Sequence, residues 1–179
     1  IGEYLAHHGV PVVGIDCLRY FWTKKTPEQI ADDLRAIIEH YRVKWHRDEV
    51  LLIGYSFGAN ILPFALSRLP ERLRNRVRLV SLLGLSQSAD FVVHVTGWLG
   101  ADPGPDALPV MPELARIDLR KVQCVYGVEE KDSGCAVPSM AAAERIETPG
   151  GHHFGGDYAA LAGRILDGAQ RREPSLPRR

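Results

Sequence analysis

The sequence predicts a mixed α/β domain built on a mostly parallel sheet with helices on both faces. Short β-branched and aliphatic runs alternate along it with segments of helical periodicity, and parallel strands need crossover helices of that kind. The chain has 179 residues, 45% of them apolar, which suits one sizeable core rather than two small ones. A single domain is expected over residues 1–170, followed by a basic, proline-containing tail over 171–179 that is expected to fray.

Taken in order, Gly2 to His8 reads as the last turns of a helix closed by Gly9, and Val10 to Asp16 as the first strand. Thr26-Pro27-Glu28-Gln29 supplies a capping hydroxyl, a proline at the first helical position and a glutamine placed to close a capping box. Ile30, Leu34, Ile37, Ile38 and Tyr41 then share one helical face. Asp48 to Gly54 is the second predicted strand, Ser56 onward a helix with Leu62, Ala65, Leu66 and Leu69 inward, and Arg76 to Leu83 the third strand. From Gln87 to Pro112 prolines and glycines break the alternation, as an insertion over one end of the sheet would; Trp98 lies within it. Lys121 to Tyr126 and Glu144 to Thr148 are the fourth and fifth strands, and Asp157 to Ala169 the final helix.

Charge excludes one class of partner. Lys plus Arg and Asp plus Glu are 22 each, so no net field draws the chain to nucleic acid. No run approaches the roughly 18 apolar residues of a membrane-spanning helix. The residues suggest neither metal nor cofactor: H-E-x-x-H, C-x-x-C, the phosphate loop and the dinucleotide fingerprint are all missing. Cys124 and Cys135 flank one predicted strand and the loop after it, close enough to bridge, and a bridge would imply an oxidising compartment. Three reduced thiols, with Cys17, are the other reading.

The chemistry is concentrated in Gly54-Tyr55-Ser56-Phe57-Gly58, a G-x-S-x-G between a strand and a helix. That context marks a nucleophile elbow and hence an α/β-hydrolase fold. Ser56 is the expected nucleophile, and the Phe57 N–H at the helix start the expected oxyanion donor. A serine needs a base, held in turn by an acid, and this fold orders them Ser, Asp or Glu, His. Gly150-Gly151-His152-His153-Phe154 precedes the last helix; His152 is preferred over His153 as the base because it directly follows the glycines and precedes bulky residues, as the base does in many relatives of this fold. The loop after the fourth strand offers Glu129, Glu130 and Asp132, with Asp132 preferred as the acid and Glu130 close behind.

Further segments make the likeness more specific. They are Gly9 to Asp16 followed by Leu18-Arg19-Tyr20-Phe21-Trp22, Thr26-Pro27, Gly54 to Ala59 with Leu62-Pro63-Phe64, Tyr126-Gly127 with Asp132 and Cys135, Gly150 to Phe154, and Asp157-Tyr158. Together, from about Gly9 to about Leu166, the sequence resembles the bacterial virulence protein VirJ family and the related AcvB proteins. The resemblance implies a periplasmic α/β-hydrolase, and periplasmic residence tilts the cysteine question towards a Cys124–Cys135 bridge. It also implies hydrolysis of an aminoacyl ester of phosphatidylglycerol, notably the lysyl ester. Arg19, Tyr20, Phe21 and Trp22 follow a predicted strand end and are candidates to line the pocket, with Arg19 meeting the lipid phosphate; a partly buried aromatic loop is the other reading. The competing implication is a noncatalytic adaptor that docks type IV secretion components. The fold places a strand and a glycine-rich loop, carrying a second oxyanion donor, before the helix with which this sequence opens. More chain is therefore expected upstream of Ile1, and without it activity is expected to be crippled.

Overall fold

A computed structural model describes residues 1–92 and 104–172. Its elements are α1 (Gly2–His7), α2 (Cys17–Tyr20), α3 (Pro27–Trp45), β1 (Val50–Tyr55), α4 (Phe57–Arg68), α5 (Glu71–Arg74), β2 (Val77–Leu83), β3 (Ser88–Ala89), β4 (Leu108–Pro109), α6 (Met111–Leu114), β5 (Val122–Gly127), β6 (Glu144–Thr148) and α7 (Tyr158–Arg171). Strands β1, β2, β5 and β6 form one sheet in the order β1-β2-β5-β6, and every pairing in it is parallel. Mixed α/β architecture with a parallel sheet flanked by helices is what the alternation of patterns predicts, and it is consistent with an α/β-hydrolase-like fold.

The sheet is covered on both faces because its strands are apolar on both. In β2, Val80 and Leu82 enter one core with Ile30, Leu34 and Ile38 of α3 and Ile61 and Phe64 of α4. Leu79 and Leu83 of the same strand enter a second core with Leu161, Ile165 and Ala169 of α7. Successive side chains of a strand point to opposite faces, so continuous apolarity demands two helical layers. Helix α3 starts where its capping box was expected: the Gln29 N–H donates to Thr26 Oγ1 at 3.2 Å, and the Thr26 N–H donates to Gln29 Oε1 at 3.0 Å.

Register brings the strand ends to one rim. Tyr55 aligns with Leu83, Leu83 with Val125, and Gly127 with Thr148. The turns after β1, β2, β5 and β6 therefore leave the sheet side by side, at the carboxyl end where parallel sheets build their sites.

Two expectations change and two are specified. Val10 to Asp16 is not a strand: among the described residues the segment pairs with no strand and β1 is the edge of the sheet, and Val12, Val13 and Ile15 are exposed. β-branched residues favour a pleated, half-buried surface, and among the described residues no neighbouring strand supplies one here. The tail boundary also moves. Helix α7 runs to Arg171, and Arg171 and Arg172 both bond Glu144, with Arg172 Nη1 at 2.9 Å. The insertion is partly ordered by the β3–β4 pair and α6, while Trp98 and residues 173–179 lie outside the described residues. Lastly, Cys124 and Cys135 are bridged, with Cα atoms 5.5 Å apart, and Cys17 is free.

Candidate active site

Residue by residue, the elbow is held by sterics. Strand β1 ends at Tyr55, helix α4 begins at Phe57, and Ser56 between them takes φ 54° and ψ −116°. For a residue with a Cβ that left-handed backbone costs on the order of 1–3 kcal/mol. It is held by the Ser56 N–H, which donates to the Leu83 carbonyl at 2.8 Å, and by the Ala59 N–H, which donates to the Ser56 carbonyl at 2.9 Å. A Cβ on Gly54 would lie 2.6 Å from the Gly58 carbonyl oxygen, so strand and helix pass this closely only because Gly54 has none. Gly58 itself would meet nothing within 4 Å. Of the two glycines that flank the serine, the first carries the steric requirement.

The Phe57 N–H belongs to the first turn of α4, where no carbonyl of the helix can reach it. It has no acceptor among the described residues, as an oxyanion donor requires. The Phe57 ring is braced by Phe21, edge to face at 4.8 Å between centroids.

Ninety-six residues later the chain returns to Ser56. His152 Nε2 lies 2.8 Å from Ser56 Oγ, and His152 Nδ1 lies 2.6 Å from Glu130 Oε1. A proton on Nδ1 facing the carboxylate leaves Nε2 as an acceptor for the serine hydroxyl, the tautomer that base catalysis needs. The loop carrying His152 turns through left-handed Gly150, Gly155 and Gly156, and buried Phe154 anchors it in the second core. Gly84, at φ 67°, clears the way from below: a Cβ there would lie 2.6 Å from His152 Cε1.

The carboxylate that meets His152 is that of Glu130, and the expectation that Asp132 would face it is corrected. The Glu130 N–H donates to the Gly127 carbonyl at 3.0 Å, and the Gly127 N–H donates to Glu130 Oε2 at 2.7 Å. This tight turn folds Glu130 back over the end of β5 and leaves its second oxygen facing His152. Asp132 lies beyond the turn, exposed, and makes no hydrogen bond to His152. Glu130 and His152 are half-buried, with 17% and 28% of their side chains exposed, so water only partly screens the pair.

His153, the alternative base, faces away from Ser56. Its Nδ1 sits 3.1 Å from Tyr55 Oη and 3.3 Å from Tyr158 Oη. Neither Tyr55 nor Gly84 stood out as a site residue in the sequence; the position of Tyr55 inside G-x-S-x-G was the available signal for the first, and nothing marked the second.

The segment from Ile15 to Lys25 forms an open depression of about 440 Å³ lined by Ile15, Asp16, Arg19, Tyr20, Thr23 and Lys25, and none of Ser56, His152 and Glu130 lines it. Arg19 and Tyr20 line it, whereas Phe21 is buried against Phe57 and Trp22 turns to solvent. Asp16 caps α2 by accepting the Arg19 N–H at 3.1 Å. Burial, with the bond to Asp33, pushes the Tyr20 phenol well above its usual range, so it remains a neutral donor. Lys25 lies 5.0 Å from the Tyr20 ring centroid, a cation over an aromatic face.

Among the described residues no helix is long and apolar enough to cross a membrane. Neither the curated proteins nor the solved structures contain a match to this chain. The family described as bacterial virulence protein (VirJ) matches residues 1–173, nearly the whole length, and the chain belongs to that family.

Proposed function

We propose that this virulence-associated protein is a serine hydrolase of carboxylic esters. The observation that carries the reading is the unbroken relay from Ser56 Oγ through His152 to Glu130, at 2.8 and 2.6 Å. Ser56 Oγ attacks the ester carbonyl as His152 Nε2 takes its proton, and the oxygen that becomes negative is met by the Phe57 N–H. His152 then returns the proton to the departing alkoxide, leaving an acyl-serine. Water, deprotonated by His152, cleaves that ester, and the proton goes back to Ser56. Glu130 holds the imidazole in the required tautomer and stabilises its charged form throughout.

The substrate class proposed is an aminoacyl ester of phosphatidylglycerol, in particular the lysyl ester, in the periplasm. The Cys124–Cys135 bridge supports an oxidising compartment. The Arg19 and Lys25 cations that line the depression suit a phosphate on the alcohol side of the ester. The family's association with virulence supports a second reading, a noncatalytic adaptor for type IV secretion components. Docking alone requires neither a strained serine nor a paired histidine, which is why the hydrolase is preferred.

Vesicles containing lysyl-phosphatidylglycerol separate the two. Full-length protein is expected to release free lysine, and Ser56→Ala to release none above background. Equal release by both, or none by either, would favour the adaptor.

A further inference from the structure

Two adjacent histidines stand at this site, and only one touches the serine. Tyr55, between Gly54 and the nucleophile, has its hydroxyl 3.2 Å from the main-chain carbonyl of His152 and 3.1 Å from His153 Nδ1. A carbonyl only accepts, so the phenol's single hydrogen goes to His152; the contact with His153 is then a hydrogen bond only if Nδ1 carries a proton and donates to the phenol oxygen. That nitrogen also lies 3.3 Å from Tyr158 Oη, at the start of α7. The Tyr55 ring stacks on the His152 imidazole, with centroids 5.6 Å apart and planes 28° from parallel, and meets Phe154 edge-on at 5.9 Å. Burial, and next to it the neighbouring Tyr158, hold the Tyr55 phenol up at about 12, so it stays protonated and able to donate at neutral pH.

We propose that Tyr55, His153 and Tyr158 form a clamp that positions the base, with Tyr55 fixing the His152 main chain and His153 fixing Tyr55. The inference rests on the reading of Ser56 and His152 as nucleophile and base. The main chain at His152 lies between Gly151 and the left-handed Phe154–Gly156 turn, a stretch with several accessible backbone states. A hydroxyl from the end of β1 ties that stretch to the same strand that presents Ser56, so nucleophile and base share one frame. Tyr55 and His153 are therefore positioning residues, acting through His152 and touching neither ester nor leaving group.

The clamp is tested on full-length protein by the rate at which a fluorophosphonate labels Ser56. Tyr55→Phe keeps the ring stacking and removes only the hydroxyl; it is expected to keep the thermal midpoint of the parent and to label about three- to tenfold more slowly, the worth of one modest hydrogen bond. His153→Ala is expected to slow labelling similarly, and His153→Asn, whose amide N–H can replace Nδ1–H, to recover most of the rate. The combination Tyr55→Phe with His153→Ala is expected to be no slower than Tyr55→Phe alone, since both remove one device. The low-field proton resonance of the His152–Glu130 hydrogen bond is expected to broaden in Tyr55→Phe, which a loss of general stability would not single out. Tyr55→Phe labelling as fast as the parent, or a double variant slowed by the product of the two single effects, would overturn the clamp while leaving Ser56 the nucleophile. A parent protein that is not labelled at all would overturn both.

Discussion

The turn that presents Ser56 and the loop that presents Glu130 leave the sheet at the same rim, two strands apart, yet different forces shape them. The elbow is local. Five consecutive residues, a left-handed serine and one steric contact between Gly54 and the Gly58 carbonyl determine it, with the Leu83 carbonyl of the next strand accepting the Ser56 N–H. The acid loop is assembled from a distance. Its turn at Gly127 is local, but Gly134 donates to the Leu85 carbonyl at 2.7 Å and the Cys124–Cys135 bridge closes the ends. A Cβ on Gly127 would fall on the carbonyl oxygens of Gly150 and Gly151, so the acid loop and the base loop also constrain one another. The elbow should therefore fail through its own residues, and the acid loop through its supports.

The largest effect expected is on turnover. Ser56→Ala should abolish ester hydrolysis, a loss on the order of a millionfold in kcat where a serine acts as nucleophile. Glu130→Gln should cost about a hundred- to ten-thousandfold in kcat/KM, because the amide no longer fixes the imidazole tautomer or balances its charge. Asp132→Asn, measured in the same assay, should stay within about twofold, as expected of an exposed residue without such a contact. Reversal of these last two would mean that the loop rearranges before reaction.

Stability should distinguish the two regions next. Gly54→Ala pushes a methyl against main chain that cannot give way, and about 2–4 kcal/mol should disappear from a denaturant titration. Gly58→Ala, in the first turn of α4 with open space around it, should be neutral or raise stability by up to about 1 kcal/mol. Reduction of the buried disulfide should remove about 2–3 kcal/mol by freeing the unfolded chain. The same treatment should slow hydrolysis less than Glu130→Gln does, since the Gly127 turn still holds the carboxylate. Equal losses would show that the bridge alone positions the acid.

Why some of this was legible in the sequence follows from the same division. The elbow is a contiguous motif with its strand and helix on either side, so Ser56 and Phe57 could be named directly. His152 could be preferred over its neighbour by likeness to other members of the fold, in which the base directly follows the glycines and precedes bulky residues. The choice between Glu130 and Asp132 could not be made along the chain: both lie within reach of the strand end, and the hydrogen bond from the Gly127 N–H to Glu130 Oε2 decides which faces inward. Val10 to Asp16 reads as a strand by composition alone, but a strand exists only with a partner, and composition does not say whether one is present. Tyr55 and Gly84 act across the rim on a residue dozens of positions away, a relation no local pattern records.

One measurement bears most directly on the relay itself. Intact-mass analysis of full-length protein after fluorophosphonate treatment should show one adduct, mapped to Ser56, absent in Ser56→Ala and formed at least a hundredfold more slowly in His152→Ala, as expected when a serine loses its base. An adduct on another residue, or labelling of Ser56 at the same rate without the His152 imidazole, would contradict the proposed chemistry.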